Sequence, residues 1–576
     1  MSSAFSRSLV VPSRGASRRS FVVLSALAGL GLPVLAGCDL PGVSKDKGGS
    51  ASPSGSTASA GGSASASAPA QAGSTEWQKL DGHVMGHKVS VEVSPVVRQD
   101  DKSSYIAVKL TRASDDASID AVKASSYKDD SGNKLSISNY LGAGPFRAGT
   151  GASLVKLLDT GSGRVWSAVD GSGLFLELAP GEDMTSYLSF GKVDTDTVTV
   201  MVPMAGFTTV SVLDADDAKK AKIDLSIAQA ALKQSSHAVP ELADPVAIER
   251  YTRALDDSTS THAGGKDITV TLASDVTFAS DSADLAPGAE AQLQTVAGKL
   301  GQYPDGGTLT IVGHTDDVQD DAYNQTLSEK RANAVKTRLE QLTSLDKWKT
   351  SVSGKGESQP KIKDTTDQAR AANRRVEITL TPTGGTTPKN TTTPTPNSSS
   401  GSGNGGGKLP DPQGPVAKGP EGVTLTTKGL NTQGDVTITL DQVTRSGGYL
   451  LGTVICTVKD GSTGAQLHPL LDDPETALTN QRSESGALST FYASDGLTLL
   501  SNGERIFPAD YNDADVDHHL PLTELNLSDH LKTGTTTICI VWPDPGGDTI
   551  TLDHPKGKYS TPNTAYRLTD IPIKNS

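Results

Sequence analysis

Aromatic side chains make up only 4% of the 576 residues, and positive charge is in deficit: 52 lysines and arginines stand against 66 aspartates and glutamates, a net charge of −14. Sparse aromatics beside 59 glycines and 31 prolines imply compact β-rich units separated by substantial linkers. The acidic balance argues against nucleic acid or an anionic lipid surface as the main partner. Outside the apolar run from Phe21 to Leu35, no stretch approaches the roughly 20 residues of a membrane-spanning helix. No nucleophile elbow, phosphate-cradling glycine loop or zinc-ligand spacing is present, so an enzyme reading has no residues to stand on and no cofactor is expected. His83 and His87 flank Met85 and Gly86, and Asp517, His518 and His519 stand together. Neither group has a cysteine or glutamate at ligand spacing, so no metal is expected.

What is present begins at the N-terminus. Arg14, Arg18 and Arg19 precede the apolar run, and Leu35-Ala36-Gly37-Cys38 has the shape of a lipoprotein signal-peptidase site. Cleavage before Cys38 would leave that thiol to carry a diacylglyceryl group, a membrane anchor that needs no spanning helix. Ser17-Arg18-Arg19-Ser20-Phe21-Val22-Val23 is similar to a twin-arginine export motif, and the general secretory route is the alternative.

Composition divides the rest. Residues 1–37 read as a signal peptide, and residues 38–75 as a flexible Gly/Ser/Ala tether. Alternating apolar and polar residues with Gly, Asp and Ser turns mark 76–214 and 422–576 as β-sandwiches. Ile223, Leu225, Ile227, Ala230 and Leu232 suggest a helical connector over 215–263. A Thr/Pro/Gly linker fills 384–421, leaving 264–383 as a separate domain.

In that domain Leu293, Val296, Ala297 and Leu300 recur at helical spacing before Gly301 and Pro304. A strand-like run, Leu309-Thr310-Ile311-Val312, then ends in Gly313 and places His314, Thr315 and Asp316 at its C-terminal edge, where open α/β sheets tend to form ligand sites. A helix follows from about Tyr323 to Leu342 with the stripe Leu327, Val335, Leu339 and Leu342, and Arg331 lies on that stripe. In the last strand Val376, Ile378 and Leu380 alternate, and Arg374 shares their parity. Two guanidiniums in apolar phase require carboxylate partners. Either Asp316 pairs internally with Arg331, or a ligand completes the pairing.

The ordered motifs Gly313-His314-Thr315-Asp316, Asn324, Leu327-Ser328-Glu329-Lys330-Arg331-Ala332 and Asn373-Arg374-Arg375-Val376-Glu377 resemble the OmpA-like domain shared by OmpA, Pal and MotB proteins. The resemblance implies a peptidoglycan-binding domain. Asp316 would take the ammonium and Arg331 the carboxylate of a diaminopimelate side chain. Thr315 and Asn324 would add hydrogen bonds, and Arg374 would brace the site or touch the peptide. Two departures stand out: Gln319 occupies a position that is usually glycine, and the loop is acidic, with Asp317, Asp320 and Asp321.

The two β segments share landmarks. Val89, Val91, Val93, Val96 and Arg98 match Val436, Ile438, Leu440, Val443 and Arg445; Leu157-Leu158 matches Leu499-Leu500; and Pro203, Gly206 and Thr209 match Pro543, Gly546 and Thr549. These suggest a duplicated, independently folding sandwich resembling bacterial immunoglobulin-like domains, a likeness that implies no activity. With Cys38 lipidated, Cys456 and Cys539 remain as a pair that an exported protein could join in a disulfide; two buried thiols are the alternative.

The expected chain is therefore multidomain: a central α/β (βαβαβ) OmpA-like domain between two all-β immunoglobulin-like sandwiches, with disordered linkers. Its expected partners are peptidoglycan and, through Cys38, a membrane. Either the sandwiches are spacers, or they bind a protein or ligand and wall binding only positions them.

Overall fold

The computed structural model describes residues 70–116, 135–136, 152–170, 177–234, 242, 244–279, 281–386, 409–428, 433–459, 464–472, 493–512, 519–524, 530–531, 533–556 and 564–576. Cys38, the signal region and most of the two expected linkers lie outside these residues. Among the described residues no helix is long and apolar enough to cross a membrane.

The N-terminal module contains β1 (Gln78–Val84), β2 (His87–Val93), β3 (Val96–Arg98), β4 (Ser104–Arg112), β5 (Ala152–Asp159), β6 (Arg164–Asp170), β7 (Asp183–Phe190), β8 (Thr197–Val202) and β9 (Gly206–Asp214). On β2 alternate residues Val89, Val91 and Val93 point inward. Hydrogen bonding runs from β3 through β4, β7, β6, β5, β8 and β9 and returns to β3 by a parallel pairing. The ring closes, so this module is a barrel rather than the two separate facing sheets expected of an immunoglobulin-like sandwich. Trp166 fills its core, with its indole Nε1 donating to Lys192 O at 3.0 Å.

The central segment opens with α1 (Leu225–Gln234), β10 (Val246–Ala254) and β11 (Thr259–Gly264). The expected helical connector thus contains a helix and a β-hairpin, the hairpin turned at Asp257 in the left-handed region (φ 58°). Next come β12 (Asp267–Ala273), α2 (Ser274–Thr277), α3 (Ala289–Gly301), β13 (Gly307–Gly313), α4 (Asp321–Leu342), β14 (Trp348–Gly354), α5 (Asp367–Asn373) and β15 (Arg375–Pro382). The βαβαβ expectation lacked β14 and α5. The sheet order is β11-β12-β15-β13-β14, with β13 and β14 parallel. β14 lies on the outer side of β13, and its sequence Trp-Lys-Thr-Ser-Val-Ser-Gly carries only two large apolar residues, too faint an alternation to read. One face of the sheet, with Val270, Leu272, Leu309, Ile311, Val376 and Ile378, packs against Leu293 and Val296 of α3 and Val335 and Leu339 of α4.

The C-terminal module contains β16 (Val423–Lys428), β17 (Gln433–Thr439), β18 (Val443–Ser446), β19 (Tyr449–Val458), β20 (Thr498–Ser501), β21 (Glu504–Ile506), β22 (Asp510–Asn512), β23 (His519–Pro521), β24 (Gly534–Pro543), β25 (Thr549–His554) and β26 (Tyr566–Asn575). It repeats the pairings of the N-terminal module: β16 to β17 to β19, β18 and β24 on β19, β21 to β20 to β25 to β26, and a parallel return from β26 to β18. The last sequence landmark is misplaced by one strand, however. Leu157 pairs with Val200 on β8, and Leu499 pairs with Leu552 on β25, so the strand of Thr549 corresponds to β8 and not to that of Thr209. Successive strands with similar Gly and Pro turns look alike at this spacing. A further short strand, Val416–Lys418, pairs with β26, so this module begins inside the expected linker.

The three parts are not beads on a string. β10 pairs in succession with β6 at Val246, with β22 at Ile248, and with both β11 and β21 at Thr252. One strand therefore hydrogen-bonds to the N-terminal module, the central domain and the C-terminal module. A shared apolar cluster joins Leu158, Val165 and Met201 to Ile248 and to Tyr449, Leu451, Cys539 and Val541. This contact is inconsistent with the expectation of independently folding sandwiches.

The expected Cys456 to Cys539 disulfide is also corrected. On the β19–β24 ladder Cys456 faces Thr536, and Cys539 faces Thr453. Residues 453 and 456 have opposite parity, so the two thiols lie on opposite faces of the sheet, Cys456 in the apolar cluster that holds Ile438 and Trp542 and Cys539 in the one that holds Ile248 and Val541. Both are free, buried thiols.

Candidate functional site

The ends of β13 and β15, the loops after β12 and β13, and the first half of α4 enclose a charged site. α4 can lie close to the sheet because Gly313 and Gly354, neighbours in register on β13 and β14, face its backbone. A Cβ on either would collide with α4 at Ser328 or Glu329. The helix starts at Asp320, whose side chain accepts from Tyr323 N at 2.9 Å. Its inward face carries Asn324, Ser328, Arg331, Ala332, Val335 and Leu339, so the buried stripe is more polar at its start than the sequence implied and Leu327 is only half-buried.

Arg331 is 5% exposed. Its Nε donates to Ser282 O at 2.9 Å, and its guanidinium lies 5.1 Å from the centre of the Phe278 ring. Burial lowers its pKa, against the opposing fields of Asp275, Asp281 and Asp316. Among the described residues it forms no ion pair.

Asp316 is bonded elsewhere. Its Oδ2 accepts from Arg374 Nη1 at 2.7 Å, and Oδ1 accepts from Val318 N at 3.3 Å. Arg374 also forks onto Asp275, with Nε and Nη2 donating at 2.7 and 2.6 Å. The bonds to Asp275 first, and then to Asp316, push the Arg374 pKa up, and Arg374 in turn holds the Asp275 carboxyl below its usual range. The parity argument for Arg374 does not hold, because that residue caps α5 (φ −72°, ψ 91°) and the strand begins one residue later. Arg375 is the buried one, with its Nε donating to Glu377 Oε1 at 2.7 Å.

Thr315 is 3% exposed, and its hydroxyl has no hydrogen-bond partner among the described residues. The Asn324 amide is occupied by the loop, with Nδ2 donating to Asp316 O, Gln319 O and Glu357 Oε2 at 3.2, 3.0 and 2.7 Å. His314 is buried beneath, its pKa pushed down to about 4 by desolvation and by Arg375. Of the loop acids, Asp317 accepts from Arg370 Nε at 2.7 Å, Asp320 caps α4 and Asp321 lies in the first turn of that helix. Gln319 does not adopt a positive φ, so the position does not require glycine.

Sequence reasoning therefore placed Asp316, Arg331, Thr315, Asn324 and Arg374 in one neighbourhood, and the structure brings them together. It missed the wall opposite, made of Asp275, Phe278, Asp281 and Ser282. The only sequence signal there was the run of acids at Asp275, Asp281 and Asp284, which has no periodicity.

A sequence profile of the OmpA family matches residues 277–374. The outer membrane porin F of Pseudomonas aeruginosa is 42% identical over 103 residues, which is 18% of this chain and 29% of that protein. The probable lipoprotein YiaD of Escherichia coli is 35% identical over 119 residues, 20% of this chain and 53% of YiaD. Among solved structures, the cell wall anchor of the T6SS from Pseudomonas aeruginosa aligns at 26% identity over 22% of this chain and 90% of that one, with a TM-score of 0.20. The chain thus spans about a third to a half of these curated relatives, and the family match lies within the central domain, which is OmpA-like.

Proposed function

We propose, from the premise of an OmpA-like central domain, that this site binds the diaminopimelate side chain of peptidoglycan non-covalently. The observation that carries the reading is Arg331: a guanidinium 5% exposed, with one N–H bonded to a carbonyl and no ion pair among the described residues. A buried guanidinium with open N–H groups is a receptor for an anion, and a carboxylate presented in the plane of its fork would be bound through two charge-assisted bonds. Asp316, 14% exposed at its side chain, supplies the negative partner for an ammonium on the same carbon as that carboxylate. Arg374 keeps Asp316 from closing onto Arg331, and the buried Thr315 hydroxyl next to Asp316 has no partner among the described residues. Asn324 acts through the loop and not on the ligand.

Cosedimentation of the full chain with diaminopimelate-containing sacculi tests this. Asp316→Ala or Arg331→Ala should abolish binding with an unchanged circular dichroism spectrum; wild-type binding by both would overturn the reading. Walls with lysine in place of diaminopimelate lack the side-chain carboxylate and should bind more weakly by ~1.5 to 3 kcal/mol.

In the same reading Cys38 carries a lipid, so that the chain links a membrane's outer face to the wall. Cys38→Ala should move the protein out of the membrane fraction; undiminished detergent dependence would argue for another anchor. The β-modules, stitched to the wall-binding domain by β10, hold it at a set orientation and present surface to an envelope protein partner.

A further inference from the structure

We propose that Val318 and Tyr323 form an apolar lip at the mouth of the Asp316 and Arg331 site and pack on the aliphatic chain that carries the ligand's charged end; this rests on the reading above. The core of the central domain takes up most of its large apolar side chains, yet Val318 is 61% and Tyr323 38% exposed. A single exposed apolar side chain needs no explanation. Two that border the same charged pair are another matter, and hydrogen bonds place them there.

Val318 is tied to the acid, because its backbone N–H donates to Asp316 Oδ1 at 3.3 Å. Tyr323 is tied to the base. Its hydroxyl donates to Asp281 Oδ1 at 2.8 Å, and Asp281 precedes Ser282, whose carbonyl accepts from Arg331 Nε at 2.9 Å. Asn324, next to Tyr323, clamps the loop that carries Val318 through Asp316 O and Gln319 O. These bonds set the backbone of Val318 and the ring of Tyr323 beside the charged pair. Val276, also partly exposed, lies beside Gly288 instead.

The chemistry of the ligand asks for such a surface. An ammonium and a carboxylate on one carbon account for Asp316 and Arg331, but that carbon ends a short run of methylenes leading back to the peptide. Those methylenes must cross the rim as they leave. Covering each one removes apolar surface from water and is worth about four-fold in affinity. The lip thereby favours a zwitterion on an aliphatic chain over a small amino acid that offers the same charges alone.

The test measures displacement of the full chain from sacculi by free diaminopimelate and by alanine, which has the zwitterion but no chain. Val318→Ser and Tyr323→Ala should each weaken diaminopimelate by about four-fold or more while leaving alanine unchanged. Tyr323→Phe, which keeps the ring and loses the bond to Asp281, should stay within about two-fold of wild type. Unchanged diaminopimelate affinity in Val318→Ser and Tyr323→Ala overturns the lip, as does an equal loss for both competitors, which would mean that these residues only shape the charged pocket. A wild-type chain that binds neither sacculi nor diaminopimelate overturns this proposal and the function it rests on together. Binding that depends on Asp316 and Arg331 but not on Val318 or Tyr323 overturns the lip alone.

Discussion

Asp316 hydrogen-bonds Arg374 at 2.7 Å and leaves Arg331 without an ion pair among the described residues. The internal salt bridge that would have made the site self-sufficient is absent from this arrangement. Arg374 lies between two acids, Asp275 and Asp316, and holds both.

Removing Arg374 should therefore do more than delete one charge. In Arg374→Met the carboxylates of Asp275 and Asp316 lose their partner, and both lie within the field of Arg331. It should be captured by one of them and withdrawn from a ligand carboxylate. Sacculus binding should fall at least ten-fold, roughly the 1.4 kcal/mol or more of a charged hydrogen bond, with the fold intact by circular dichroism. Retained binding would show that Arg374 does not keep the pair apart.

Glu524 gives the junction of the two β-modules a pH dependence. Its side chain, 2% exposed, accepts from Met204 N at 2.7 Å and from Cys539 N at 3.1 Å. Burial raises its pKa to about 7, although both N–H bonds oppose the rise. The folded chain then holds this proton more tightly than the unfolded chain, so the stability from this group is fully present below the ordinary glutamate range and is lost as pH rises through about 7. The loss is on the order of 3 kcal/mol at most. Wild-type Tm should fall from pH 5 to pH 8 more steeply than that of Glu524→Gln. Parallel Tm profiles would remove Glu524 as the cause.

The opposite faces of Cys456 and Cys539 predict two thiols and no bridge. In a Cys38→Ser background, titration of the denatured, unreduced chain should find both, and titration of the native chain neither. Burial lifts the Cys456 thiol to about 12, which keeps it protonated and unreactive. A reductant should leave Tm unchanged; a lowered Tm would mean that a disulfide exists.

The stitching strand predicts cooperative melting across modules. Thr252 pairs with Thr261 on one side and Ile506 on the other. Thr252→Pro removes an N–H and disrupts the strand. Calorimetry should show the transition of the central domain separating from that of the C-terminal module. A single unsplit transition would mean that packing, not β10, couples them.

The sequence by itself determined the order and spacing of Asp316, Asn324 and Arg331, the apolar faces of α3 and of the second half of α4, and the alternation of the strands. These are properties of short stretches, in which side-chain spacing within one helix or strand sets which residues share a face. Its reach ended where an element ended: counting parity back from β15 put Arg374 in the core, because nothing in the residue string marks where α5 stops and the strand begins. Tertiary structure alone decided that Arg374 rather than Arg331 holds Asp316, that Asp275 and Phe278 complete the site, that the two cysteines face apart, and that a segment expected to be helical joins three modules as β10. The reason is that strands meet through backbone N–H and C=O groups, which almost every residue carries alike, so the sequence does not record which edges will pair.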